Sequence, residues 1–203
     1  MSSSVTPGAE ANTRRTLTDR QAETLARLVA ASADELRAHS WSGLTVRNVA
    51  RRAGVAPATA YTYFASREHL VTEVYRRRVF ALGDPAVDTS LPPAQRVTEV
   101  LRPLSLLVAD EPQLAAAVTV AMLSDDAEVA ALRDEIGMRT AQLIRAAVGN
   151  DASPSQLLTL DAAFSGLLLT AGMGHLDYAE LPERTAEVAA VVFGDTNDRE
   201  DSR

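Results

Sequence analysis

Nine side chains between residues 45 and 67 are of types suited to one kind of chemistry: Thr45, Arg47, Pro57, Ala58, Thr59, Tyr61, Thr62, Tyr63 and Arg67. They bring hydroxyls, guanidinium groups and small methyls, and the stretch Thr45 to Phe64 contains three arginines and no acid. Such a set can donate to phosphate oxygens and read the edges of bases. Arginine is the commonest reader of guanine, and the methyls of alanine and threonine suit thymine. Arg47, Pro57, Ala58, Thr59 and Thr62 are therefore expected at base edges. Thr45, Tyr61 and Tyr63 through their hydroxyls, and Arg67 through its charge, are expected at phosphates, where they fix position without reading sequence.

Two short helices and a tight turn must hold these groups. Thr45 is a good N-cap, because its hydroxyl can accept from an orphan amide of the first turn, and Val46, Val49, Ala50 and Ala53 follow at helical spacing. Gly54 can take positive φ without penalty, Val55 plugs the corner, and Pro57 suits the first position of a second helix. That helix is expected over Pro57 to Phe64, with Ala60 and Phe64 inward. The pattern T-V-R-x-V-A-x-x-A-G-V-x-x-x-T-x-Y-x-Y-F-x-S-R-E-x-L, residues 45–70, resembles the signature of the TetR family of transcriptional regulators. Three positions depart from it: Ala56 replaces a common Ser or Thr cap, Arg67 a common Lys, and Ser40 a Gly that commonly closes the first helix. The missing cap costs the second helix about 1 kcal/mol relative to Ser.

The resemblance implies an all-α fold of about nine helices, with a three-helix DNA-binding head and a helical ligand-binding and dimerisation body. The expected divisions are a disordered tail over 1–13, the head over 14–65, the body over 66–194 with a connecting helix over 66–82, and a charged tail over 195–203. Arg14 and Arg15 could brush phosphates as a short arm. In the first helix, Asp19 to His39, Leu25, Leu28, Val29, Ser32 and Leu36 form one stripe, and the resemblance implies that Trp41 packs beneath the head. The connecting helix turns Leu70, Val71, Val74 and Tyr75 toward the head and leaves Arg76 to Arg78 as a solvated face. A fifth helix from Pro93 to about Ala109 is expected to kink at Pro103.

The sixth helix starts at Glu111-Pro112, and the seventh is capped by Asp125 or Asp126. An eighth, from about Ser155 to Leu176, is apolar on nearly every side and is expected to meet a second copy of the chain. Gly166, Gly172 and Gly174 inside it would be justified by close approach of another helix. With the ninth helix, Leu181 to Phe193, it would form a four-helix dimer interface, as the resemblance implies, through Phe164, Gly166, Leu167, Thr170, Val188 and Val192. Met122, Met138, Phe164 and Leu168 are the candidate contacts for a mostly apolar ligand. The segment DEPQLAAAVTVAML also resembles the body of regulators of sterol or lipid catabolism in the family.

Charge distribution agrees with a nucleic-acid partner although the chain as a whole carries −7. Residues 14–82 hold 12 Arg and 6 acids, a balance of +6, whereas residues 83–203 hold 8 Arg and 20 acids, a balance of −12. Affinity for duplex DNA comes largely from counterions released by such a basic segment. The absence of cysteine excludes disulfides, thiolate zinc sites and thiol redox sensing. The apolar run Leu157 to Met173 is broken by Asp161 and is short for a bilayer, so no membrane partner is expected. No export leader is evident, which suits a cytoplasmic protein. His39, His69 and His175 stand alone, Asp125-Asp126 reads as a helix start, and no phosphate-cradling glycine loop or nucleophile elbow occurs. Neither a cofactor nor catalysis is expected. The sequence reads as a homodimeric repressor that binds a palindromic operator on double-stranded DNA and is released by a small apolar ligand. The rival is a regulator without inducer, whose body only dimerises or recruits protein.

Overall fold

The computed structural model describes residues 19–194, and among these it places nine α-helices and no strand. The 1–13 tail, the Arg14-Arg15 pair and the 195–203 tail lie outside the described residues. Helix α1 (Asp19–Gly43) buries Leu25, Leu28, Ser32 and Leu36 from its apolar stripe. Its regular turns break at Ser40, whose φ of 55° and ψ of −174° suit glycine and strain serine. Trp41 is half-buried against the core, in keeping with a packing role.

Helices α2 (Val46–Arg52) and α3 (Pro57–Tyr61) form the bihelical turn. The Thr45 hydroxyl accepts from Asn48 N at 3.0 Å, Gly54 takes φ 64°, and Val55 N donates to Ala50 O at 2.9 Å. Helix α3 is shorter than expected, ending at Tyr61 instead of Phe64. Thr62 N donates to Thr59 O at 3.1 Å and Tyr63 N to Ala60 O at 3.0 Å, so its last turn tightens to three-residue spacing. Ala56 makes no capping bond, as its side chain dictates.

Helix α4 (Arg67–Ala81) joins head to body, packing on α6 (Pro112–Met122) and α7 (Ala127–Val148) as well as on α1. Ser66 Oγ accepts from His69 N at 3.0 Å and donates to Asp126 Oδ2 at 2.7 Å, while Asp126 Oδ1 accepts from Glu128 N at 2.9 Å. One hydrogen bond thus ties the N-caps of α4 and α7 together. The Ser66 hydrogen bond, with the Glu128 amide, holds the Asp126 carboxyl below the usual range. The arginine run corrects the expected solvated face. Arg76 pairs with Glu73 at 2.7 Å and with Glu135 of α7 at 3.2 Å, Arg77 pairs with Glu73 at 2.7 Å, and Arg78 pairs with Glu111 at the start of α6. Burial raises the Glu73 carboxyl, and the two arginines outweigh it and leave the group lowered.

Helix α5 (Pro93–Ser105) does not continue to Ala109. It stops two residues after Pro103, and Leu107 N to Leu104 O and Ala109 N to Leu106 O, at 3.3 and 3.1 Å, lead into a turn in place of a kinked helix. Helix α8 (Pro154–Gly172) ends four residues short of the expected Leu176. Gly174 takes φ 79°, Gly174 N donates to Ala171 O at 2.9 Å and His175 N to Thr170 O at 3.1 Å, a paired closure of the helix end. A single 3-10 turn, Tyr178–Glu180, leads into α9 (Leu181–Phe193), which packs on α5 and α8. One apolar core runs without interruption from Leu25 to Ala189.

The three glycines singled out near α8 do different jobs. A Cβ at Gly172 would sit 1.9 Å from Thr119 Oγ1, so the close approach that it permits is to α6 of the same chain. Gly174 lies beyond the helix, and Gly166 faces open space.

Candidate nucleic-acid interface

The head leaves its polar groups outward because its apolar ones are consumed inside. Val46, Val49, Ala50, Val55, Ala60 and Phe64 are buried, and Arg52 Nε donates to buried Glu35 Oε2 at 2.7 Å, which pins α2 to α1. Left outside are Thr45, Arg47, Pro57, Ala58, Thr59, Tyr61 and Thr62, all exposed, with Tyr63 half-buried. Arg47 forms no hydrogen bond or ion pair with another described residue, so its guanidinium is free to meet a partner. The Thr45 hydroxyl accepts from Asn48 N and keeps its proton available for donation.

Arg67 differs from the others. Its guanidinium lies 4.3 Å from the centre of the Trp41 ring, Nη1 donates to Trp41 O at 3.1 Å, and Nε sits 3.1 Å from Glu68 Oε1. It therefore clamps the end of α1 to the start of α4, and Nη2 is the nitrogen left for an outside partner. The sequence could not announce this, since Trp41 and Arg67 are 26 residues apart.

The body contains a cavity of about 310 Å³ between α4, α6, α7, α8 and the 3-10 turn. Met122 and Leu168 of the expected ligand contacts line it, together with Tyr75, Arg133 and Tyr178, which sequence reasoning missed. Tyr75, expected to face the head, turns into this body cavity. Met138 points outward at 59 % exposure, and Phe164, 2 % exposed, is packed within the core; neither lines the cavity. The signal for Tyr75 and Tyr178 is a polar tip on an otherwise apolar side chain, but their convergence is tertiary.

The outer face of α8 carries Leu158, Ala162, Gly166, Leu169 and Met173, all exposed at helical spacing, and Val191 of α9 is exposed beside them in the chain's C-terminal pair. Leu167, Thr170, Val188 and Val192 are half-buried, and Phe164 offers no surface to a second copy. Leu158, Leu169, Met173 and Val191 are the exposed large apolar groups here that the expected dimer contacts left out, Leu158 and Val191 being 70 and 68 % exposed. Among the described residues no helix is long and apolar enough to cross a membrane.

Residues 28–74 match the family described as bacterial regulatory proteins, tetR family. Over 195 residues the chain is 43 % identical to the uncharacterized HTH-type transcriptional regulator Rv0767c of Mycobacterium tuberculosis, covering 95 % of this chain and 89 % of that protein. It is 30 % identical over 119 residues to the HTH-type transcriptional repressor KstR of Mycolicibacterium smegmatis, covering 57 % of this chain and 58 % of KstR. The fold is that of a TetR transcriptional regulator from Rhodococcus sp. RHA1, with a TM-score of 0.73 at 18 % identity over 89 % of this chain and 100 % of that one. FadR of Bacillus subtilis, solved in complex with stearoyl-CoA, superposes with a TM-score of 0.60 at 14 % identity over 81 % of this chain and 96 % of that one. With an acid-free reading surface in its head and a regulator of 43 % identity matching nearly its whole length, the chain belongs to the TetR family and is a DNA-binding transcriptional regulator, not an enzyme.

Proposed function

We propose that the protein is a cytoplasmic homodimeric repressor that binds a palindromic operator and is released when a mostly apolar small molecule enters the body cavity. The observation that carries the ligand part is Tyr75: it lines the cavity from α4, the same helix whose start is clamped to the head by Arg67 and Trp41. A ligand that displaces Tyr75 moves the rod that carries the head. The repressor sign takes support from KstR, a repressor by name, and a lipid-like ligand from the stearoyl-CoA held by FadR.

In this reading Arg47, Pro57, Ala58, Thr59 and Thr62 touch base edges, and Thr45, Tyr61, Tyr63 and Arg67 touch phosphates. Two heads enter successive major grooves only when they stand about 34–36 Å apart, one helical turn of the duplex. The exposed apolar stripe of α8, with α9, supplies the contact that sets this distance. Ligand and operator then oppose each other reciprocally, each weakening the other by the same factor, typically about 5–150-fold. The test is a fluorescence-anisotropy titration of the protein with the DNA flanking its own coding region, repeated with saturating lipids and aromatic compounds. Loss of operator affinity on adding one of them is the expected result. Tight operator binding that no compound alters would favour the rival, a regulator whose body only dimerises or recruits protein.

A further inference from the structure

We infer that the body cavity takes an apolar chain or ring system carrying an anionic head, with Arg133 holding the head and Tyr75 donating to a carbonyl or carboxylate oxygen. This rests on the ligand-responsive reading above and adds the chemical class of the ligand.

Most of the cavity wall is apolar, formed by residues such as Val108, Val118, Met122, Ile136 and Leu168. Arg133 is the one charged side chain among the residues lining it, and no acid stands beside it there. Its Nη1 donates to Met122 O at 2.7 Å and to Ser124 O at 3.2 Å, carbonyls at the C-terminal end of α6. The arginines packed elsewhere against the body each meet a carboxylate: Arg76 and Glu135, Arg78 and Glu111, Arg96 and Asp151, Arg139 and Asp84. Arg133 has no such partner among the described residues. A cation on an apolar wall without a counter-charge favours an anion and disfavours a cation.

Tyr75 supplies a second, independent observation. It is 6 % exposed, lines the cavity, and forms no hydrogen bond with any described residue. A phenol in such a wall gains a bond when an acceptor enters the cavity. Burial, reinforced by the neighbouring Tyr178 phenol, holds Tyr75 protonated, so it keeps a proton to offer to a ligand oxygen. A charged oxygen at Arg133 and an acceptor oxygen at Tyr75 are both provided by a carboxylic acid or by an acyl thioester whose phosphates carry the charge.

The experiment uses the full chain and three probes of one chain length: hexadecanoate, its methyl ester and hexadecylamine. Affinity is read by calorimetry, and operator release by anisotropy. Hexadecanoate should bind at least about tenfold more tightly than the ester or the amine, the span of one charge-assisted bond. Arg133→Met should bring the acid down to the affinity of the ester, and Arg133→Lys, which keeps the charge, should preserve the preference. Tyr75→Phe should weaken acid and ester alike by about fivefold or more, since both present an acceptor oxygen. Melting curves of each variant establish that it folds, with Arg133→Lys deciding the matter if Arg133→Met does not. Equal or tighter binding of ester or amine with operator release overturns the anionic head and leaves the ligand-responsive reading standing. Failure of all three probes to bind overturns the anionic-headed ligand proposed here, and the ligand-responsive reading falls with it only if no lipid or aromatic compound releases the operator. In a further arm with hexadecanoyl-CoA, tighter binding than the acid assigns the charge to the thioester's phosphates, and weaker binding assigns it to the free carboxylate.

Discussion

In the proposed reading the side chains of the head divide into readers of base edges and holders of phosphate. Arg47 is exposed and has no partner among the described residues, so replacing it by Ala should relax sequence preference at one position per half-site and cost about 1–3 kcal/mol per contact. Tyr61→Phe removes a neutral hydroxyl from an exposed ring, and should weaken binding to every sequence equally while leaving the salt dependence unchanged. Anisotropy against a set of single-base operator variants at several salt concentrations separates the two; uniform weakening in Arg47→Ala would make it a phosphate contact. Ser40 holds a backbone state that glycine adopts freely, and Ser40→Gly should stabilise the protein by about 1 kcal/mol in a urea titration. No gain would mean that the break after α1 is relaxed for serine. The local features were legible because their causes are local: a hydroxyl three residues from the amide that it caps, a glycine at a corner, a proline at a first turn. Arg67 was only half legible, since its charge is visible in the sequence and its stacking on Trp41 is not.

Helix interiors followed from spacing, and helix ends did not, because the ends are decided by bonds that the pattern does not encode. Helix α3 tightens after Tyr61, α5 stops soon after Pro103, and α8 closes on Gly174. The arginine run of α4 misled for a related reason: Glu111 and Glu135, which pair with Arg78 and Arg76, come from α6 and α7. Asp161 shows the converse, a charge that packing leaves unmatched. Its Oδ1 is buried without a partner among the described residues, and burial raises the carboxyl above the usual range. A raised folded value means that the fold prefers the protonated acid, so this contribution is complete below the unfolded value, near pH 4, and is lost as pH rises through the folded one. Asp161→Asn should therefore raise the melting temperature at pH 7, with the gain shrinking to nothing below about pH 4. A gain that is the same at both pH values would assign it to packing.

At the scale of the molecule, a basic head and an acidic body are joined by one rod that packs on α1 and lines the cavity. The charge asymmetry was plain from the sequence; the cavity was not, because Tyr75, Arg133 and Tyr178 come from α4, α7 and the 3-10 turn and meet only in the folded chain. The central claim is that two heads must be held at a fixed separation by the α8 face. Gly166 is exposed on that face with open space about it, so an arginine there fits the single chain and buries an unpaired charge only against a second copy. The direct test is sedimentation velocity of Gly166→Arg mixed with fluorescently labelled operator. The expected result is a folded monomer and free DNA, where the wild type migrates as a dimer bound to the operator. A variant that stayed dimeric, or a monomer that carried the full operator as tightly as the wild type, would contradict it.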